Sequence, residues 1–382
     1  MATSTSQRIY KYDNVKAVLI FLVVVGHMTS DYVSDSYLVR WITLWIYSFH
    51  MPAFVFISGL VHKQYITKDR ALSGIKGETR MRWDKALGFF LCGYALKVFL
   101  QLTRTLMGQH PAWHWIEEPG IPWYLFVMAA YEIIFFLMRW IDGKIKPRYI
   151  ILGAFALSAV IGYLPFIGDA FCLSRMINFL PIYAIGYYTD MNKFLTFIEK
   201  TVFKILGGII LLGSILVCAL GPYSLYSYRK WFTGRRTYEY MSQFFSNAES
   251  LGWLYRILIW AIALLIALSL IAIIPNKDLK YVTTIGARTM NVYFWHRPLC
   301  YLFRTWAVLP RLFVLFGGTY KLTAAGTLPG LAFQGSDWSM VGALLVYLLI
   351  GIAMTAIFAI KIFEHPCSDI MRFSSWITRQ KK

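Results

Sequence analysis

Chemistry in this chain has to come from the few ionisable side chains that interrupt long apolar runs. The first run reads Tyr12-Asp-Asn-Val-Lys-Ala-Val-Leu-Ile-Phe-Leu-Val-Val-Val-Gly-His27. Lys16 and His27 are separated by about three helical turns and a rise of roughly 16 Å, so both project from one face. Asp13 stands at i−3 from Lys16 and Asp31 at i+4 from His27, which places two carboxylates on the same face. An ionisable group inside a span is costly and is a functional-site candidate by default. The plainer alternatives are a cytoplasmic anchor for Lys16 and, for His27, a buried histidine satisfied by a backbone carbonyl. Four polar groups in register weigh against both.

The second run ends Ser48-Phe-His-Met-Pro-Ala-Phe-Val-Phe-Ile-Ser-Gly-Leu60 and adds His50. Pro52 is expected to bend or break this helix, and Ser58-Gly59 lets another backbone come close. A kinked packing helix is the alternative. Further on, Met290-Asn-Val-Tyr-Phe-Trp-His-Arg-Pro298 sets Asn291, His296 and Arg297 within one apolar segment. His27, His50 and His296 lack the i, i+3 or i, i+4 pairing that metal helices favour, so no metal is expected. The cluster Arg80, Arg82 and Lys85 either sets topology alone or meets a phosphate-bearing ligand, since guanidinium forks bind phosphate oxygens bidentately.

The elements that carry these residues follow from composition. Of 382 residues, 58% are hydrophobic, 18% aromatic and only 15% charged, with a mean hydropathy of +0.54. A soluble domain carries roughly a quarter charged residues, so the excess apolar surface must face lipid. The balance of 38 Lys+Arg against 19 Asp+Glu gives +19, but this charge lies between apolar runs, which sets nucleic-acid binding aside. Secreted and disordered classes are excluded too. Five scattered cysteines without CxxC spacing give neither a disulfide framework nor a zinc site.

An all-α, polytopic membrane protein is therefore expected, with about ten transmembrane helices of about 20 residues each. They fall near residues 15–30, 41–61, 86–107, 122–140, 149–168, 175–189, 202–220, 254–274, 283–303 and 339–363. Basic residues collect before the first span, between the second and third, between the fourth and fifth, and at the C-terminus. The positive-inside rule makes that side, with both termini, cytoplasmic. Long outer loops are expected near 221–253 and 304–337. Their Tyr, Trp and Arg residues suit stacking on sugar rings and equally suit a membrane-interface belt. No cleavage site follows Gly26, so the first run reads as a retained helix of one integral membrane domain, 1–382.

The pattern Arg8-x4-Asp13-x2-Lys16-x10-His27, followed by Phe49-His-Met-Pro-x-Phe-x-Phe-x-Ser-Gly59, resembles the opening of the acyltransferase-3 family of integral membrane O-acyltransferases. The Phe-His-Met-Pro form resembles its fucose-4-O-acetylase-like subgroup. Lys16 stands where the family usually has arginine, which keeps the charge and loses the fork. Arg80-x-Arg82-x2-Lys85, Pro122-Trp123-Tyr-Leu125, Pro181-x4-Gly186, Tyr293-Phe-Trp-His296 and Glu364-His-Pro366 resemble further family segments.

The resemblance implies transfer of an acyl group, most often acetyl from acetyl-CoA, to a hydroxyl of a cell-surface glycan or lipid-linked sugar at a bacterial plasma (inner) membrane. Lys16, steadied by Asp13, would hold the coenzyme phosphates together with Arg80, Arg82 and Lys85. His27 would act as general base or form a transient acetyl-histidine, with Asp31 orienting its ring. Asn291, His296 or Ser58 would stabilise the oxyanion, and His50, Ser58 and Trp123 are expected on the substrate side. On physics alone, a transporter or a sensory membrane module fits the same spans.

Overall fold

Apolar runs in lipid must satisfy their backbone internally, and here they do so as helices. The computed structural model describes residues 9–72, 81–117, 120–141, 143–323 and 330–378. In chain order the helices are α1 (Tyr10–Thr29), α2 (Tyr37–Leu72), α3 (Trp83–Leu106), α4 (Trp123–Leu137), α5 (Pro147–Ile161), α6 (Leu173–Tyr188), α7 (Met191–Ile198) and α8 (Thr201–Leu220). They continue as α9 (Arg229–Phe232), α10 (Tyr238–Ser242), α11 (Ala248–Ile273), α12 (Tyr281–Ala287), α13 (Thr289–Thr305), α14 (Val308–Leu315), α15 (Asp337–Phe358) and α16 (Cys367–Ile377). Strands β1 (Thr319–Thr323) and β2 (Gly330–Gln334) form one antiparallel hairpin, with Tyr320 opposite Phe333.

Each of the ten expected segments holds a helix, but length separates them. Among the described residues six helices are long and apolar enough to cross a membrane, and seven if the pair α13 and α14, bent by 56°, counts as one span. Helices α4 and α5, with 15 residues each, and α6, with 16, fall short of a full crossing. The exposed faces agree with a lipid surround, since Leu212, Val217, Leu220, Leu349 and Ile352 all stand outward. Pro52 does not break its helix: α2 runs unbroken for 36 residues, because one missing donor leaves the rest of the hydrogen-bond ladder in place. The two expected long loops carry structure of their own, α9 and α10 in one, α14 and the hairpin in the other.

The chain divides into two compact units. The first comprises Met1–Ile46, Thr196–Gly221 and Leu265–Glu364, and the second Tyr47–Leu195, Pro222–Leu264 and His365–Lys382. In the first, α1 is the central element and packs on α12, α13 and α15. A Cβ on Gly286 would lie 1.7 Å from the Asp13 carbonyl oxygen, so α12 meets α1 backbone to backbone. Polar groups near the start of α1 brace this contact. The Lys11 ammonium, fully buried, pairs with Glu199 at 2.6 Å and donates to the carbonyls of Ala272 and Ile274. Asn14 donates to the carbonyls of Pro275 and Lys277 and accepts from Thr283.

The second unit is built on α3 packed against α4 and α16, and on α5 packed against α6. Helices α2 and α6 cross where a Cβ on Gly59 would lie 2.3 Å from the Tyr183 oxygen and one on Gly186 2.1 Å from the Phe56 oxygen. Small residues of this kind let helices associate in lipid, where burial of apolar surface gives no drive. A buried polar ladder ties three helices to the segment before α10. The Trp260 indole donates to Ser158, Ser158 to the Asn178 side chain, and Asn178 to the Gly234 carbonyl.

Candidate functional site

In the first unit the polar groups gather where α1 ends. His27 lies in its last turn, half-buried, with its ring centroid 5.3 Å from that of His296 and the planes 32° apart. His296 is fully buried in α13. Its Nδ1 lies 2.9 Å from the Val292 carbonyl oxygen, which can only accept, so Nδ1 carries the proton. The neutral ring then presents a lone pair at Nε2. That atom is buried without a hydrogen-bond partner among the described residues. Two imidazoles, one with an open acceptor, thus face each other in a water-poor place.

Arginine side chains fix this end of α1. Arg297 donates through Nη1 to the His27 carbonyl at 3.1 Å, lies 4.0 Å from Asp31, and stacks over the Tyr301 ring at 4.6 Å. Arg304 pairs with Asp31 at 3.0 Å. Asp31 was expected on the helical face of His27, but α1 ends at Thr29 and Asp31 lies in the 3-10 turn Ser30–Tyr32. The tighter turn carries its carboxylate to the two guanidiniums. Asn291 is buried near the start of α13, and its Nδ2 has no partner among the described residues. Lys16 and Asp13 form the ion pair their spacing predicts, at 2.9 Å. Three turns of α1 separate that pair from His27.

In the second unit the expected substrate residues are held by their neighbours. The Ser58 hydroxyl lies 2.8 Å from both the Phe54 carbonyl and the Tyr124 hydroxyl. Its proton goes to the carbonyl, which leaves Ser58 no donor for an oxyanion. His50 is buried with its ring edge-on to Tyr47 at 5.0 Å. Trp123 stacks on Phe179 at 5.1 Å and beneath the Arg175 guanidinium at 5.2 Å. Lys85 is half-buried in the first turn of α3. Arg80 lies outside the described residues. Among those that are described, no three His, Cys, Asp or Glu side chains converge as a metal site would require.

Arg82 leads to a cluster that sequence reasoning missed. Its guanidinium lies 3.8 Å from Glu132, whose other oxygen lies 3.1 Å from His62 Nε2, while His62 Nδ1 lies 2.6 Å from the Tyr183 hydroxyl. Glu132 is the one acidic residue in the apolar run Trp123–Leu137, and a carboxylate so placed was the available signal. Lys11 and Arg304 carry no signal of this kind, since in the sequence the one reads as a topology charge and the other as a loop charge.

The family model described as an acyltransferase domain matches residues 9–363 of the chain. No curated protein and no solved structure matches it.

Proposed function

Because the chain belongs to the acyltransferase-3 family of membrane acyltransferases, we propose that it moves an acetyl group from acetyl-CoA to a hydroxyl of a cell-surface glycan or glycan precursor, at a bacterial plasma membrane. The observation that carries the reading is the imidazole pair of His27 and His296 with its open acceptor nitrogen. The acceptor oxygen attacks the thioester carbonyl, its proton passes to His27, and the C–S bond breaks. The coenzyme thiolate takes up the proton, leaving an ester and a free thiol. Such a base supplies about 10² to 10⁴ in rate.

His296 serves this chemistry as a second proton acceptor beside His27, since its one N–H is already directed at Val292. The oxyanion therefore falls to Asn291, whose amide N–H groups are buried and unpartnered among the described residues, as a preorganised donor in a dry site. Lys16, steadied by Asp13, meets the coenzyme phosphates. Release of coenzyme thiol from acetyl-CoA by the purified protein in detergent tests the reading. His27→Ala should express normally and lose thiol release; a His27→Ala protein with full activity would sink the role.

A further inference from the structure

The segment between α8 and α11 holds cations that nothing in the proposed transfer uses. Residues 221–247 contain Arg229, Lys230, Arg235 and Arg236 against a single acid, Glu239. Arg235 is neutralised: it binds Asp169 through Nε at 2.8 Å and 2.7 Å, and Arg175 reaches the same carboxylate at 3.7 Å. The other three have no carboxylate within ion-pair distance among the described residues. They lie on aromatic faces instead. Arg229 sits over Tyr47 at 4.9 Å and Tyr226 at 5.2 Å, Lys230 over Phe244 at 2.9 Å and Tyr240 at 5.5 Å, and Arg236 over Tyr240 at 4.2 Å.

A ring face attracts a cation but leaves its charge in place. Three such charges in one segment focus a positive potential. Burial, aided by the nearby charges of Arg236 and Arg229 and opposed by Tyr240, lowers the Lys230 ammonium below its usual range. The Nε of Arg229 is itself buried with no hydrogen-bond partner among the described residues. The platform is also rigid. Tyr238 donates through its backbone to Gly162 and through its hydroxyl to Ala159, and buried Arg256 donates to the Trp231 carbonyl at 2.7 Å. A fixed set of cations beside aromatic rings matches a sugar that carries a negative group, the ring stacking on the apolar sugar face and the cations on the oxyacid.

We propose that Arg229, Lys230 and Arg236, with Tyr226 and Tyr240, form a binding site for an anionic sugar, one bearing a carboxylate or a phosphate. The identity of the bound sugar as the acceptor rests on the transfer proposed above; the binding itself can be measured without it. The protein in phosphatidylcholine nanodiscs is titrated with trigalacturonate, with glucose 1-phosphate and with neutral maltotriose. At least one anionic probe should bind about tenfold or more tightly than maltotriose, the difference made by one charge-assisted contact, and its affinity should fall as salt rises. The arm that binds tells carboxylate from phosphate. The triple variant Arg229→Gln, Lys230→Gln, Arg236→Gln should lose that preference while keeping its unfolding midpoint in detergent.

Equal binding of neutral and anionic probes would overturn the inference. So would a triple variant that keeps the preference, or one that stops retaining phosphatidylglycerol while still binding the anionic probe as before, which would mark a lipid headgroup site. Should the variant fail to fold, the comparison of probes on the unmodified protein still decides. Loss of thiol release in the unmodified protein with anion binding intact would count against the transfer and leave the binding site standing.

Discussion

Two buried imidazoles, one in each compact unit, are wired in opposite ways. His62 has Nδ1 at 2.6 Å from the Tyr183 hydroxyl and Nε2 at 3.1 Å from a Glu132 oxygen, an ion-pair contact rather than a hydrogen bond since that oxygen has no hydrogen-bond partner among the described residues, and Arg82 lies 3.8 Å from the other oxygen. His296 has one nitrogen engaged and one open, and its neighbour across the gap is another imidazole rather than an acid. A network closed by opposite charges in a low-dielectric interior holds its members in place through strengthened electrostatics. An open one is unstable until something fills it, which is how a reacting group behaves.

The contrast can be broken most forcefully at the open end. His27→Ala and His296→Ala should each lower acetyl transfer by about 10² to 10⁴ with the thermal midpoint little changed; a large loss of stability with activity per folded molecule intact would assign the pair to packing. At the closed end the order reverses. Glu132→Ala leaves His62 and Arg82 without their acid, and breaking a buried pair costs about 3–5 kcal/mol, to be read as a lowered unfolding midpoint in detergent. Normal stability with abolished turnover would show that the second unit also takes part in proton transfer.

A narrower test is Asn291→Ala, which should lower kcat by about 10² to 10³ if its amide meets the oxyanion, with KM for acetyl-CoA unchanged. A changed KM alone would make it a binding residue. The smallest effect belongs to Lys16→Gln. Its pair with Asp13 is half-exposed and adds only about 0–1 kcal/mol to stability, so the change should show in KM for acetyl-CoA and leave the midpoint in place.

What the residues disclosed before any coordinates was mainly local. The i, i+3 spacing of Asp13 and Lys16 became an ion pair, and the polar insertion in Met290–Pro298 marked the helix that carries His296. The limits were equally physical. Asp31 could be placed on the face of His27 only if α1 continued, and the 3-10 turn after Thr29 is set by its partners Arg297 and Arg304, far along the chain. Hydropathy finds apolar runs but not their ends, so the runs 122–140 and 149–168 read as full spans where α4 and α5 have 15 residues each. Glu199 cannot be seen to pair with Lys11 in a linear reading, since 188 positions separate them.

That last pairing also orders events in time. Lys11 is made 188 residues before Glu199 and 261 residues before Ala272, the groups that receive its ammonium. At a synthesis rate of about 5–20 residues per second, the first helix waits on the order of tens of seconds with a charge it cannot bury cheaply. Helix α1 therefore settles at this end only once the segments that carry Glu199 and Ala272 have been made, long after its own synthesis.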